Sequence, residues 1–392
     1  MDQLIVSIAT ALDFVEKDLL GASTNHGRRI SVLCSAMGRL FGMNDDELRI
    51  LTGSALLHDN ALTEYIFFEH EGKQHDPAMK NHCIFGQRNI DILRFKGNAR
   101  GVIYYHHERA DGGGPFGRKE GEYPLMAELI AAADGIDVRN HLQTLGPHRL
   151  PLLQKEIEAE TGKAYTHRAA GAMLDVLDEK MLFSLRDVNI KETTKQLLPV
   201  WREELEDQAI IGIGEFAARI IDFKSTFTRR HTSGIANIAL TMARYYGFDT
   251  TERLQFYLAA SLHDLGKLAT PTVILEKPGP LTGDEFQIIK DHVRYTWEML
   301  KDIEGFEKIC MWASCHHEKL DGSGYPFGKK AEDLDRNSRL LCCIDIYQAV
   351  SEERPYHSGR SHEETIKILK DMAERGFVDS KIVEDLDKVL AG

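Results

Sequence analysis

The sequence predicts an all-α chain built as two tandem helical bundles, and three observations lead there. No run of alternating β-branched residues and no Asn-Gly hairpin flanked by such runs occurs, so strand signals are weak throughout. Helix starts with capping chemistry occur at two distant places, Asn44 with Glu47 and Asp249 with Glu252. The same polar landmarks also recur in the same order in both halves. The first half carries His26, His58-Asp59, His82, His106-His107 and Asp134; the second carries His231, His263-Asp264, His292, His316-His317 and Asp345. Corresponding landmarks stand 205, 205, 210, 210 and 211 residues apart, a register broken by two short length changes. Chance does not produce such a series, so the domain is duplicated.

Taken in order, residues 1–20 read as an amphipathic helix with Asp2, Asp13, Glu16 and Asp18 set among apolar positions. A signal peptide would open with a basic region before an apolar stretch. The helix starting at Asn44 runs into Ala-Leu-Leu-His58-Asp59, and the one starting at Asp249 runs into Ala-Ser-Leu-His263-Asp264. Leu254, Leu258, Ser261 and Leu262 fall at helical spacing, which gives one buried stripe and sets His263 and Asp264 at the helix end, facing a helix-walled pocket. After Asp134, helices are expected around residues 152–160 and 169–183, and over 195–223 with breaks at Pro199, Gly212 and Gly214. Residues 164–177 echo residues 376–389, so each copy is expected to end on a similar helix. The boundary falls near residues 185–205.

Composition narrows the class. The chain has 392 residues, 43% of them hydrophobic, which is enough for two cores and too apolar for a disordered chain. Its six cysteines (Cys34, Cys83, Cys310, Cys315, Cys342, Cys343) show no framework spacing, and the reduced thiols of a cytoplasmic protein are expected. No apolar run approaches the ~18–20 residues of a membrane span. The net charge of −13 disfavours duplex nucleic acid and anionic lipid, which want a basic excess. A few local cations still suffice for a small anionic ligand, because screening confines charge effects to a Debye length of ~8 Å.

Five His and two Asp per copy suit divalent transition metals, which neutral imidazole and carboxylate ligate. A lone His on an apolar helix is ordinarily a satisfied core residue. Seven buried polar groups recurring in register need another explanation, because each must find a partner. Seven ligands exceed what one ion needs. A bridging carboxylate, for which Asp264 is the candidate, would set two ions about 3.5–4 Å apart.

The second half further reads His263-Asp264-Leu265-Gly266-Lys267, Lys277-Pro278-Gly279-Pro280-Leu281-Thr282, His316-His317-Glu318-Lys319-Leu320-Asp321-Gly322-Ser323-Gly324-Tyr325-Pro326 and Arg354-Pro355-Tyr356. Over about residues 215–392 this closely resembles the HD-GYP phosphohydrolases, a branch of the HD metal-dependent phosphohydrolases. Residues 1–190 look like a diverged HD-type copy, joined by a helical linker over 191–214. The resemblance implies helical bundles, a di- or tri-metal centre, and hydrolysis of cyclic dinucleotides in bacterial signalling. The typical substrate is cyclic di-GMP, opened to the linear dinucleotide or on to GMP.

Carried over by position, the resemblance makes His231, His263, Asp264 and Asp345 ligands of one ion and Asp264, His292, His316 and His317 ligands of the other. Two divalent ions per catalytic domain are expected, iron or manganese by preference, with zinc, nickel and cobalt also acceptable to these ligands. Three-metal members place a Glu four residues before the first His; here that residue is Phe227, so a two-metal site is expected. Gln348 stands where many members have an Asp. Lys267, Tyr325 and Arg354 are the expected substrate-binding residues, Lys267 and Arg354 meeting phosphate and Tyr325 positioning phosphate or ribose.

The first copy keeps all seven ligand types, His26, His58, Asp59, His82, His106, His107 and Asp134, as a candidate second metal site. Leu62 stands there in place of Lys267, and the loop Asp111-Gly112-Gly113-Gly114-Pro115-Phe116 is one residue shorter and lacks a counterpart of Tyr325. Gln143 follows Asp134 where Arg354 follows Asp345. Substrate groups went and metal groups stayed, which points to a regulatory or structural partner for the catalytic half. Other cyclic dinucleotides such as cyclic GMP-AMP, or another nucleotide, are alternative substrates. The competing reading from another class is a non-catalytic signalling adaptor that binds ligand or a partner such as a cyclase. The intact second-half set argues against it. Apolar faces of duplicated helical domains are also compatible with a homodimer.

Overall fold

The computed structural model describes residues 2–21, 23–64, 78–93, 95, 97–199, 206–225, 231–352 and 359–391. Arg354 and Phe227 lie outside them. The described residues are helical, with two isolated β-bridges, Thr161 with Tyr165 and Asp321 with Lys330, and no named strand. The chain divides into two compact units, Met1–Glu204 and Leu205–Gly392.

In the first unit α1 (Asp2–Leu20), α2 (His26–Leu40), α3 (Asp45–Leu56), α4 (Ala78–Ile92) and α5 (Leu125–Asn140) carry or surround the histidine landmarks. They are followed by α6 (Leu150–Glu160), α7 (His167–Val176), α8 (Glu179–Ser184) and α9 (Ile190–Leu197). Helix α2 is the centre, packing against α3, α5, α7 and α9 through Ile30, Val32, Leu33, Cys34 and Met37, all fully buried. Each such side chain contributes about 1.5–3 kcal/mol by leaving water.

The second unit repeats the plan. Its helices are α10 (Asp207–Asp222), α11 (His231–Tyr245), α12 (Thr250–Leu262), a 3₁₀ turn (Leu265–Ala269) and α13 (Thr272–Leu275). Then come α14 (Gly283–Leu300), α15 (Glu307–Ser314), α16 (Arg336–Ser351), α17 (His362–Glu374) and α18 (Ser380–Leu390). Helix α12 packs on α10, α11 and α15, while α14 packs on the 3₁₀ turn and α15.

The capping expectation holds in full at Asn44, where Asn44 Oδ1 accepts from Glu47 N and Glu47 returns the bond to Asn44 N. Asp249 likewise caps Glu252 N, but the Glu252 carboxylate accepts from Asn337 Nδ2 instead. Three expectations are corrected. Residues 169–183 form two helices, because Asp178 caps a new start by accepting from Met181 N at 2.6 Å. Gly212 and Gly214 do not break α10; a Cβ at Gly214 would lie 2.5 Å from the Tyr257 ring, so glycine is there for close packing. Asp13 and Glu16, read as the polar side of the first helix, are both 3% exposed. Of residues 191–214, read as a linker, the first part belongs to α9, whose end is tied to α2 by Ser35 Oγ donating to Leu197 O, and the last part to α10. All six cysteines are buried and free.

Candidate metal centres

The second-unit landmarks converge from five segments. His231 opens α11, His263 caps α12, Asp264 stands in the turn after it, His292 lies on α14, His316 and His317 follow α15, and Asp345 lies on α16. His263, His292 and His316 each present Nδ1 to the carbonyl three residues earlier, those of Ala260, Ile289 and Ala313, at 2.8, 2.5 and 2.7 Å. A carbonyl only accepts, so Nδ1 carries the proton and each Nε2 keeps its lone pair. Those three Nε2 atoms are buried and without a hydrogen-bond partner, as is Asp264 Oδ1.

The Asp264 carboxylate divides the cluster. Its Oδ2 lies 3.2 Å from His263 Nε2, and its Oδ1 lies 3.2 Å from His292 Nε2 and 3.9 Å from His316 Nε2. Asp345 spans the same gap from the other side, with Oδ1 3.1 Å from His231 Nε2 and Oδ2 3.6 Å from His317 Nδ1. An imidazole lone pair facing a carboxylate oxygen is a pair of acceptors, stable only with a cation between them. The donor set therefore fits divalent metal in two groups, His231-His263-Asp264 and His292-His316-His317.

Electrostatics leave His316, His317 and Asp264 in the forms that a metal needs. Burial, with His317 and His263 adding to it, holds His316 well below its ordinary pKa, and burial pushes His317 down to about 3, so both stay neutral. Burial acts to raise Asp264, but His263 and Lys267 hold it well below the usual carboxylate range. His231 is drawn up to about 9 against its burial, because Nε2 meets Asp345 and Nδ1 meets Glu352 Oε2 at 3.3 Å.

Lys267 contacts Asp264 Oδ2 directly, its side chain 18% exposed at the mouth of the site. Tyr325 lies beside His317, their ring centroids 4.8 Å apart, and burial raises its phenol so that it remains a donor.

The first unit brings together its own seven residues in the same pattern. Asp59 Oδ2 lies 3.4 Å from His58 Nε2 and Oδ1 lies 3.1 Å from His82 Nε2. Asp134 reaches His26 Nε2 at 3.2 Å and His107 Nδ1 at 3.8 Å. His58 and His106 again donate Nδ1–H to the carbonyl three residues back, at 3.0 and 2.5 Å. The position of Lys267 is filled by Leu62, 7% exposed.

Several participating residues escaped sequence reasoning. Glu318, 2% exposed, accepts from Phe327 N and Lys329 N at 2.7 and 3.0 Å and so folds the loop carrying Tyr325; Glu108 does the same for Phe116 N and Arg118 N, both at 2.6 Å. The repeated His-His-Glu was the available signal. Glu352 takes up His231 Nδ1, whereas in the first unit Asp137 accepts from His26 Nδ1 at 2.6 Å. Gln348, the register partner of Asp137, packs against Gly234 instead. Lys290 Nζ lies 5.4 Å from the Tyr325 ring centroid, adding a cation near the mouth.

Residues 215–382 match the HD domain family. The 3'3'-cGAMP-specific phosphodiesterase 1 of Vibrio cholerae is 28% identical over 396 residues, covering 97% of this chain and 90% of that protein. The cyclic di-GMP phosphodiesterase response regulator RpfG of Xanthomonas campestris pv. campestris is 33% identical over 172 residues, 43% of this chain and 45% of that one. A crystal structure of a cyclic GMP-AMP-specific phosphodiesterase of Vibrio cholerae shares the fold, with TM-score 0.67 at 22% identity, covering 100% of this chain and 97% of that one. With this match laid over the paired His–Asp groups, residues 215–382 form an HD domain similar to those of the metal-dependent phosphohydrolases of the HD-GYP type.

Proposed function

We propose that the second unit hydrolyses a phosphodiester of a cyclic dinucleotide. The observation that carries this reading is the Asp264 carboxylate, whose two oxygens face different imidazole groups with orphaned lone pairs. His231, His263, Asp264 and Asp345 would hold one ion, and Asp264, His292, His316 and His317 the other. Bound there, two such ions, iron or manganese by preference, would supply Lewis-acid chemistry, making a water more acidic and taking up charge on phosphoryl oxygens.

The chain's own groups do the rest. Lys267 swings its ammonium from Asp264 toward a phosphate oxygen, a short movement for a flexible, partly exposed side chain. Tyr325, held beside His317 by the loop that Glu318 folds, donates its hydroxyl to phosphate or ribose. Arg354 is assigned a bidentate phosphate contact by its place in the motif. Buried free thiols suit a reducing, cytoplasmic setting. Among the described residues no helix is long and apolar enough to cross a membrane.

Cyclic di-GMP is the typical substrate of the family. A second reading, 3'3'-cGAMP, is favoured by the relative that aligns with 97% of the chain and is named for that nucleotide. The test is to incubate the metal-loaded full chain with each nucleotide and resolve products by chromatography. Cleavage abolished by His263→Ala with Asp264→Ala supports the reading, and the ratio of kcat/KM values chooses the substrate. A metal-loaded chain that cleaves neither nucleotide refutes it.

A further inference from the structure

We infer that the first unit holds its own pair of divalent transition-metal ions in a closed, non-hydrolytic centre to which Glu16 of α1 contributes a ligand. The inference rests on the metal reading of the His–Asp constellation. It goes further by adding a residue that the second unit does not have and by separating what the two centres do.

Two donor groups meet in this unit, His26-His58-Asp59 and Asp59-His82-His106-His107, and the donor atoms within each lie within 4.8 Å of one another. The Nε2 atoms of His82 and His106 face each other at 3.4 Å, and His58 Nε2 is buried without a partner. The first ligand is held rigidly. His26 Nδ1 donates to Asp137, which is ion-paired at 2.8 Å with the fully buried Arg29. Such support orients an imidazole and raises its basicity as a ligand.

Glu16 is the unexplained group. It is 3% exposed, its Oε2 has no hydrogen-bond partner, and its charged neighbours are His26, Asp59, Asp13 and Asp134. Burial, with Asp59, Asp13 and Asp134 adding to it, pushes the Glu16 carboxyl well above the usual range, so it is a carboxylate there only when a cation takes the place of its proton. Among the described residues the second unit has no glutamate at the corresponding place. Asp13 Oδ2 accepts from Asn25 N at 2.8 Å before α2 as Asp222 Oδ1 accepts from Thr232 N at 2.8 Å in α11. Three residues beyond these matched aspartates stand Glu16 in one unit and Ser225 in the other.

The exchange has a chemical sense. Leu62 replaces the lysine and the loop lacks the tyrosine, so groups that attract a phosphodiester are gone, while one more oxygen donor is added beside the histidines. Structural metal sites are closed by protein ligands, whereas catalytic ones keep a position open.

The test uses the full chain with His263→Ala and Asp264→Ala, which removes the second unit's site. It is purified without chelator, loaded with Mn²⁺, and measured for metal content, for coupled Mn²⁺ pairs by electron paramagnetic resonance, and for cyclic-dinucleotide turnover. About two coupled ions per chain and no turnover are expected. Adding Glu16→Gln should weaken Mn²⁺ affinity at least ~10-fold with unchanged far-UV circular dichroism. Glu16→Ser, which copies Ser225, replaces it should the glutamine variant misfold. Unchanged affinity in both removes Glu16 as a ligand, and turnover in the double-alanine background refutes a non-hydrolytic centre. No metal in that background, with two ions in the unaltered chain, overturns the inference and leaves the second unit's metal reading standing. No metal in either overturns both.

Discussion

Replacing Gly266 by alanine should disable the second unit's site without substituting any candidate ligand. Gly266 sits in the turn directly after His263-Asp264, and a Cβ there would lie 1.9 Å from the carbonyl oxygen of His292 and 2.8 Å from Thr296 N. Real Cβ atoms essentially never approach within 3.0 Å, so the turn and α14 must part by at least about 1.1 Å. The same seam carries Gly266 N to Thr296 Oγ1 at 2.9 Å and Thr296 Oγ1 to His263 O at 3.0 Å. It also sets the 3.2 Å between Asp264 Oδ1 and His292 Nε2, so the displacement enters the ligand geometry directly. A misplacement of ~1 Å costs roughly 10²-fold in rate. The overpacking costs about 1–3 kcal/mol in stability. The assay is kcat for cyclic-dinucleotide hydrolysis at saturating metal, with Tm from thermal unfolding. Gly283→Ala at the start of α14 serves as control, since nothing lies within 4 Å of a Cβ there. Unaltered kcat and Tm in Gly266→Ala would refute the reasoning. The first unit shows how the clash is relieved: its matching residue is the fully buried Ala61, and glycine, Gly86, faces it where the second unit has Thr296.

Three other outcomes are expected. Glu318→Gln removes one of two buried carboxylate acceptors for Phe327 N and Lys329 N, so the loop carrying Tyr325 loosens at about 1–3 kcal/mol; KM should rise with metal content unchanged, and an unchanged KM counts against the loop's role. Arg29→Ala takes the guanidinium from the buried Asp137, which keeps its bond from His26 Nδ1, and should cost the first unit up to about 3–5 kcal/mol in denaturant unfolding; a loss below ~1 kcal/mol contradicts this. In the second unit burial acts to raise Asp385, yet Lys381, Tyr246 and Tyr245 hold it below the usual carboxylate range. Its contribution is therefore complete above the unfolded value of ~3.9 and lost as pH falls through the lower folded one, so Asp385→Asn should flatten the acid limb of Tm against pH; parallel curves for variant and parent would contradict that.

The sequence by itself determined the duplication, the all-helical class and the identity of the fourteen candidate ligands. His and Asp are residue types that metals favour, and helices keep their spacing in register, so the pattern survives in one dimension. The capped starts at Asn44 and Asp249 were legible because capping is local, involving residues three apart. Only the tertiary structure decided which imidazole nitrogen faces the site, how Asp264 divides its oxygens, and that Glu352 makes the contact to His231 while Gln348 packs against Gly234. It also reversed the reading of Asp13 and Glu16, two acids on an amphipathic helix that turn out to be buried. A carboxylate in sequence looks the same whether it meets water, a helix N-terminus or a metal pocket. What distinguishes them is the set of groups brought against it from distant helices, and that is fixed by packing through space rather than by spacing along the chain.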